Sequence, residues 1–442
     1  MKKLFIFFIM TILVVANLGA CSSPMNDNNN SKVAEIKEDE TVEIEFWYGL
    51  GGKLGDQMNN KIKEFNDVQD KVKVKGVQQA DYEETYKKLQ AAVASGKTPA
   101  LILTTTPTAK VMAQKKIITE LTPYIENSKD YKTEDIIDTF LKDGQLNNTQ
   151  YSLPAYGTTQ IMYYRKDVLK EAGLDEKIFE DWNTFEKELN KLAKKENGKV
   201  TRYGWSPMWG ADNLMDMAYS NGGKVIDEKG ENVLIDSKEW IEAWSIVDRG
   251  INKDKTMKIN SGGQGWEYWY KTIDEVMQGK SAGYIGSSGD QGDLDFNILG
   301  AAQQPGFDGK EGTPSASSQQ LAIPSKANSK EKTAAFEFIK FFNKTENTAD
   351  WSINTGYIAV NKNVKEDEKF KAYSEKNPQI LVPLNQAEHA VGTFVDPTGG
   401  KIQDALSKAA DKMEIEGESA EKVLKEAKKE AQKALDEYNQ EK

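Results

Sequence analysis

The 442-residue chain holds a single cysteine and a single histidine. One cysteine excludes a disulfide within the chain. One histidine means that any Ser-His-Asp or Cys-His nucleophile would have to use His389. A zinc site would have to be built mostly from carboxylates. Neither a metal site nor a cofactor is expected. Basic residues are also short, 58 Lys and Arg against 69 Asp and Glu, for a net charge of −11. Nucleic-acid binding needs clustered Lys or Arg to neutralise phosphates, so a uniformly acidic chain is a poor candidate. The charge is read as solubility. Long apolar runs are scarce: Leu4–Val15 is too short for a comfortable membrane span. A dinucleotide fingerprint is missing, because the glycines fall at Gly49, Gly51, Gly52 and Gly55, with Leu54 where a glycine is required. Asp293, Asp295 and Asn297 have calcium-loop spacing, but Ile298 occupies the place of the turn glycine.

What is present is enough for globular folding: 38% hydrophobic and 10% aromatic residues. The length exceeds one typical core, so two lobes are expected. Val42–Trp47 alternates as a strand, and a helical stripe follows at Met58, Ile62 and Phe65. Val72 and Val74 alternate again. Asp81 with Glu84 fits a helix start, and Ala100–Leu103 reads as a buried strand. This β-α series predicts a mainly parallel sheet with helices on both faces, with ligands beyond the strand ends. Tyr151–Asp167, Y-S-L-P-A-Y-G-T-T-Q-I-M-Y-Y-R-K-D, interrupts the series, and a fresh one begins after it. We read it as a crossover between lobes, flooring a cleft. A second crossover is read at Gly286-Ser287-Ser288-Gly289. Trp205 and Trp209 stand in a Gly/Pro-punctuated loop, Gly262–Tyr270 reads as another loop, and Leu321–Pro324 as a strand. The charged C-terminal region is read as helix packed on the second lobe.

At the front, Lys2 and Lys3 precede the apolar stretch, which ends at Leu18-Gly19-Ala20-Cys21. Small residues before a lone cysteine resemble a bacterial lipoprotein signal. The resemblance implies cleavage before Cys21 and a diacylglyceryl thioether on it, giving a stable membrane anchor. Residues 1–20 carry two Lys and no acid, so their removal takes the net charge from −11 to −13. Ser22–Glu40 has too few apolar residues to fold and reads as a tether.

Taken in order, F-W-Y-G-L-G-G, Y-S-L-P with I-M-Y-Y-R-K-D, G-G-K-V-I-D, Y-I-G-S-S-G and N-T-G-Y-I-A-V-N resemble the extracellular solute-binding proteins of ABC importers, in the branch of sugar and glycerol-3-phosphate binders. The resemblance implies an α/β, two-lobed periplasmic-binding-protein-like fold that closes on a ligand between its lobes and docks on membrane permease subunits. Its expected parts are a signal peptide over 1–20, a tether over 21–40, a first lobe of 41–157 and 286–319, and a second lobe of 158–285 and 320–442. A monomer on the extracellular face of the membrane is expected, with no enzyme activity.

The resemblance also carries over binding positions: Tyr82, Trp205, Trp209, Ser287 or Ser288, and Tyr357. Thr106 stands where the branch has an acid, and Gly157 and Thr158 where it has a small-polar pair. The branch's late Arg has no counterpart near Glu388–Gly392. Losing that bidentate partner disfavours phosphate, so a neutral carbohydrate is expected, with a glycerophosphate or glycerophosphodiester as the alternative. Sugars need aromatic platforms with placed polar groups. Trp47, Tyr82, Tyr156, Trp205, Trp209, Trp266 and Tyr357 could supply the first, and Gln264, Asp212, Ser288 and Gln319 the second. Rival readings are a secreted glycoside hydrolase using two of Asp212, Asp216, Glu267 and Asp290, and a glycan-binding adhesin.

Overall fold

The computed structural model describes residues 33–263 and 267–441. The signal segment, Cys21, most of the tether, Gln264 and Trp266 lie outside the described residues. Apolar alternation builds the first strands. Strand β1 (Val42–Tyr48) buries Ile44, Phe46 and Tyr48 on one face. It is followed by α1 (Gly52–Val68), β2 (Val72–Gln78), α2 (Tyr82–Ser95), β3 (Leu101–Thr105) and α3 (Thr106–Gln114). The Asp81 side chain accepts from the Glu84 amide at 2.7 Å, and Gly96 ends α2 at φ +71°. A glycine suits that left-handed position because it has no Cβ to clash.

Four strands and a short helix then build the middle of the molecule: α4 (Asp138–Asp143), β4 (Ser152–Arg165), β5 (Gly283–Ser287), β6 (Leu299–Ala302) and β7 (Ser315–Ala322). Between β4 and β5 lie α5 (Trp182–Leu192), α6 (Ala211–Ser220), α7 (Lys238–Asp248) and α8 (Glu267–Met277). After β7 come α9 (Ser329–Phe342), α10 (Thr345–Thr355), the short β8 (Val391–Gly392), α11 (Lys401–Glu414) and α12 (Ala420–Gln440). Helix α5 is capped by Asp181, which accepts from the Thr184 amide. Helix α8 begins at Glu267, so the expected loop already turns helical at Tyr268.

Among the described residues, eight strands form the main sheet in the order β6-β4-β7-β3-β1-β2, with β5 on β4 and β8 on β7. Strand β1 is parallel to β2 and β3, as expected. The pairings of β4 and β7 with β3, β5 and β6, and with each other, depart from the parallel expectation. Strand β7 runs antiparallel to both β3 and β4, and β5 and β6 antiparallel to β4. The reason is that β4 and β7 are crossings, which carry the chain out of the first lobe and back again.

Strand β4 is the crossover expected at Tyr151–Asp167. Its first half, Ser152–Thr159, pairs with β7, and its second half, Gln160–Arg165, with β5 and β6. Fourteen residues at roughly 3.3 Å each span about 45 Å, enough to serve both lobes. The ladder slips between Gln319 and Gln320, opposite Tyr156 and Pro154. A proline cannot donate to a ladder, so a bulge there is its natural place in a strand. Gly157 exchanges backbone hydrogen bonds with Ile358, at 2.9 and 2.8 Å. A Cβ on Gly157 would lie 2.2 Å from the Phe140 ring.

Two large apolar cores flank the crossings. The first holds Ile44, Phe46, Phe65, Leu103, Leu153 and Tyr156 with Leu321, Phe338 and Trp351. The second holds Met162, Phe185, Trp205, Leu214, Trp240 and Trp244 with Leu406, Val423 and Leu435. These assignments correct the expected lobe boundaries. Residues 320–442 do not all belong to the second lobe: Leu321, α9 and Trp351 pack in the first core, while Val391, Phe394, α11 and α12 pack in or against the second. Residues 286–319 do not belong wholly to the first lobe. Leu299 packs with Ile161, Tyr163 and Tyr284, and Phe307 joins the second core. No helix among the described residues is long and apolar enough to cross a membrane.

Candidate functional site

A cleft of about 1400 Å³ opens where the crossings meet the two lobes. Its floor is polar and comes from the crossings: Thr158, Thr159 and Gln160 of β4, Ser315, Ser317 and Gln319 of β7, and Ser287 at the end of β5. Hydroxyls bind this floor together. Thr158 Oγ1 lies 3.2 Å from Ser287 Oγ and accepts from Ser288 Oγ at 3.3 Å. One wall is aromatic: Trp209 precedes α6, and Tyr268, Trp269 and Tyr270 open α8. Tyr357 and the N-terminus of α1, with Gly51, Lys53 and Leu54, stand on the first-lobe side. Segment 393–403 contributes Thr393, Phe394, Asp396 and Gln403.

The electrostatics of the cleft are acidic. Lys53 is the only basic side chain among its described lining residues, and it already pairs with Asp293 at 3.3 Å. Asp396 is saturated: it accepts from the amides of Thr398, Ile402 and Gln403 and from the Thr398 hydroxyl. Asp290 accepts from Trp269 Nε1 and Tyr284 Oη, both at 3.1 Å. Burial raises its carboxyl to about 7 against those two hydrogen bonds. Asp212 has no hydrogen bond or ion pair to any described residue and opens onto the cleft. Partial desolvation against the cleft wall raises its carboxyl, although the side chain keeps solvent access. Three buried polar atoms on lining residues have no partner among the described residues: Tyr219 Oη, Gln319 Oε1 and Thr393 Oγ1. Buried polar atoms are nearly always paired, so orphans on a cleft wall mark places where hydrogen bonds can be offered to a ligand.

Of the expected binding residues, Thr158, Trp209, Ser287, Gln319 and Tyr357 line this cleft, as does Asp212. Trp266 and Gln264 lie outside the described residues. The others do not line the cleft, each for a local reason. Trp205 is fully buried and packs edge-on to Phe185, with ring centroids 4.9 Å apart. It fits because Gly283 has no side chain; a Cβ there would come within 2.2 Å of the indole. Tyr156 is buried, stacked on Trp351 at 4.9 Å, with its hydroxyl 2.7 Å from that of Tyr82. Tyr82 and Tyr156 therefore stand behind Tyr357, whose ring is 4.9 Å from Tyr156. Burial holds both phenols un-ionised by raising them above their ordinary value. Thr106 is buried and spends its hydroxyl on the Ser318 carbonyl at 2.8 Å. Ser288 is fully buried beneath Thr158. Trp47 donates its indole N–H to Glu45 and packs with α2.

Sequence reasoning missed Tyr268, Trp269, Tyr270, Asn213 and Tyr219. A usable signal existed for the first three. Consecutive helical residues point about 100° apart, so a helix cannot bury Tyr-Trp-Tyr on one face. Tyr270 is in fact 59% exposed, at the cleft rim.

The bacterial extracellular solute-binding protein family matches residues 60–378, more than half of the chain. The sn-glycerol-3-phosphate-binding periplasmic protein UgpB of Salmonella typhimurium is 22% identical over 356 residues, covering 78% of this chain and 80% of that protein. The crystal structure of UgpB from Mycobacterium tuberculosis in complex with glycerophosphocholine superposes with a TM-score of 0.76 at 24% identity, covering 90% of this chain and 99% of the other. The sugar-binding protein MalE from Xanthomonas citri also gives 0.76, at 17% identity, covering 90% and 98%. Fold, cleft and sequence agree, and the chain belongs to the bacterial extracellular solute-binding protein family.

Proposed function

We propose that the chain is the binding component of an ABC importer for an uncharged carbohydrate, in the size range of an oligosaccharide. The observation that carries this reading is the cleft lining. Aromatic side chains at Trp209, Tyr268, Trp269, Tyr270 and Tyr357 face a floor of hydroxyl and amide groups, and Lys53, the one basic residue among the described lining residues, is already paired. Sugars present apolar C–H faces ringed by hydroxyls, which suit such walls and floors. Lobe closure on the ligand then shifts the population towards a form that the permease recognises. The protein acts by binding, without chemistry on the ligand.

A second reading, a glycerophosphodiester, is favoured by one observation. Helix α1 starts at the cleft with no side-chain cap, with Lys53 in its first turn. Helix amides and a lysine are natural partners for a phosphate. The anion would have to displace Asp293 from Lys53.

Thermal shift and small-angle scattering with maltotriose, mannotriose, glycerophosphocholine and glycerol 3-phosphate separate the two. A rise in melting temperature with a smaller radius of gyration for a saccharide supports the first reading. The same response to glycerophosphocholine alone replaces it with the second, and no response to any of the four counts against both.

The chain is further proposed to be a monomer held on the extracellular face of a Gram-positive-type cell membrane by a lipid on Cys21. Replacing Cys21 by Ala should release the protein to the medium. Retention of C21A in the membrane fraction would remove the anchor.

A further inference from the structure

Trp209 is half-buried on the cleft wall, with its ring edge-on to Tyr268 at 5.2 Å and 88°. Its position is set from the far end of the chain. The indole Nε1–H donates to Asp411 Oδ1 at 2.7 Å, and the amide of the next residue, Gly210, donates to Glu414 Oε2 at 3.0 Å. Asp411 and Glu414 stand three positions apart on α11, and residues at that spacing share one helix face. Gly210 has φ +104°, a conformation that a side chain would strain. Ala409, Ala410 and Met413 of the same helix are locked into the second core. The two carboxyl groups therefore grip consecutive residues of the cleft loop from a rigid element, and neither carboxyl lines the cleft.

We infer that Asp411 and Glu414 are positioning residues that hold the Trp209 indole as a fixed stacking surface. The only polar atom of the ring is committed to Asp411. Trp209 can then offer a ligand its π face and C–H edge, but no hydrogen-bond donor. Trp269 follows the same rule, with its N–H turned to Asp290 at 3.1 Å. Such a wall selects for apolar faces and leaves hydroxyl recognition to the floor. This consequence for ligand choice rests on the carbohydrate reading. The placement of the ring does not, so its test is made on the ligand-free protein.

The test uses the full chain labelled with ¹⁵N. The Trp209 indole resonance is the one missing from W209F. In the unmutated protein this proton should exchange slowly with deuterium; exchange at the rate of a free indole overturns the proposal without any further variant. In D411A the resonance should move towards the free-indole position and exchange roughly tenfold faster, as expected for loss of a charge-assisted hydrogen bond. D411N keeps an accepting oxygen and should hold the resonance near its original position. The indole signals of Trp240 and Trp244 should stay put in both variants. An unmoved Trp209 signal in D411A, or D411N as disruptive as D411A, sinks the assignment.

Discussion

Trp205 and Trp209 sit four residues apart in one loop in opposite settings, one sealed in the second core and one on the cleft wall. Trp205 is walled by Phe179, Phe185 and the bare backbone of Gly283. Replacing it by Ala should cost about 3–5 kcal/mol of stability by urea unfolding, while leaving the ligand affinity of the folded fraction unchanged. Trp209→Ala should do the reverse. Its stability loss should be small, and the affinity for a responding saccharide should fall roughly tenfold, the measure of one lost stacking partner with its buried area. Calorimetric titration decides: unchanged affinity in W209A removes Trp209 from the binding wall. The loop sequence made both tryptophans candidates because glycine and proline bound it. What separates them is a glycine 78 positions downstream of Trp205, which opens the space that buries that ring. No local pattern reports such a partner, and Tyr156 disappears beneath Trp351 for the same reason.

Strand β7 shows how a polar segment can be built as a crossing. The sequence marks a strand only at Leu321, because S-A-S-S-Q-Q lacks the alternation of apolar residues that signals β structure. Yet β7 begins at Ser315. Two of its serines are held by two buried carboxylates. Asp216 of α6 accepts from the Ser315 amide at 2.8 Å and its hydroxyl at 2.6 Å, and Asp143 of α4 accepts from the Ser318 amide and hydroxyl, both at 2.9 Å. One clasp comes from each lobe. Burial raises Asp216 to about 7 and Asp143 to about 6, against the hydrogen bonds from the serines. A carboxyl raised in the folded state binds its proton more tightly there than in the unfolded chain. The stability it contributes is full below the unfolded value of about 3.9 and is lost as pH rises through the folded value. The melting temperature of the wild type relative to Asp216→Asn should therefore fall as pH rises from about 4 to about 7, by an amount corresponding to a few kcal/mol at most. A difference that stays flat across that window, followed by calorimetry, would show that Asp216 is already ionised in the folded protein at low pH. The first strands, by contrast, were legible because Ile44, Phe46, Val72 and Val74 each face the core on alternate positions.

For the molecule as a whole, two lobes and a cleft followed from length, from the break in the β-α series at β4, and from the ordered motifs. The boundary after β7 did not, because a segment's period says that it is a helix and not which core it joins. Helix α9 and helix α12 are both amphipathic, yet α9 returns to the first core and α12 covers α7 in the second. A chain ending at residue 400 should accordingly keep the first lobe and lose the second. It should bind a hydrophobic dye and be cleaved by protease between 160 and 280, with residues 41–150 protected. Equal protection of both lobes would show that α11 and α12 are dispensable. The same interleaving imposes an order in time. Trp240 and Trp244 leave the ribosome well before α12, the helix that packs over α7. Until α12 is made, the second lobe has no complete interior to collapse into. The second lobe up to that point remains available in an open form to whatever machinery handles nascent polypeptides.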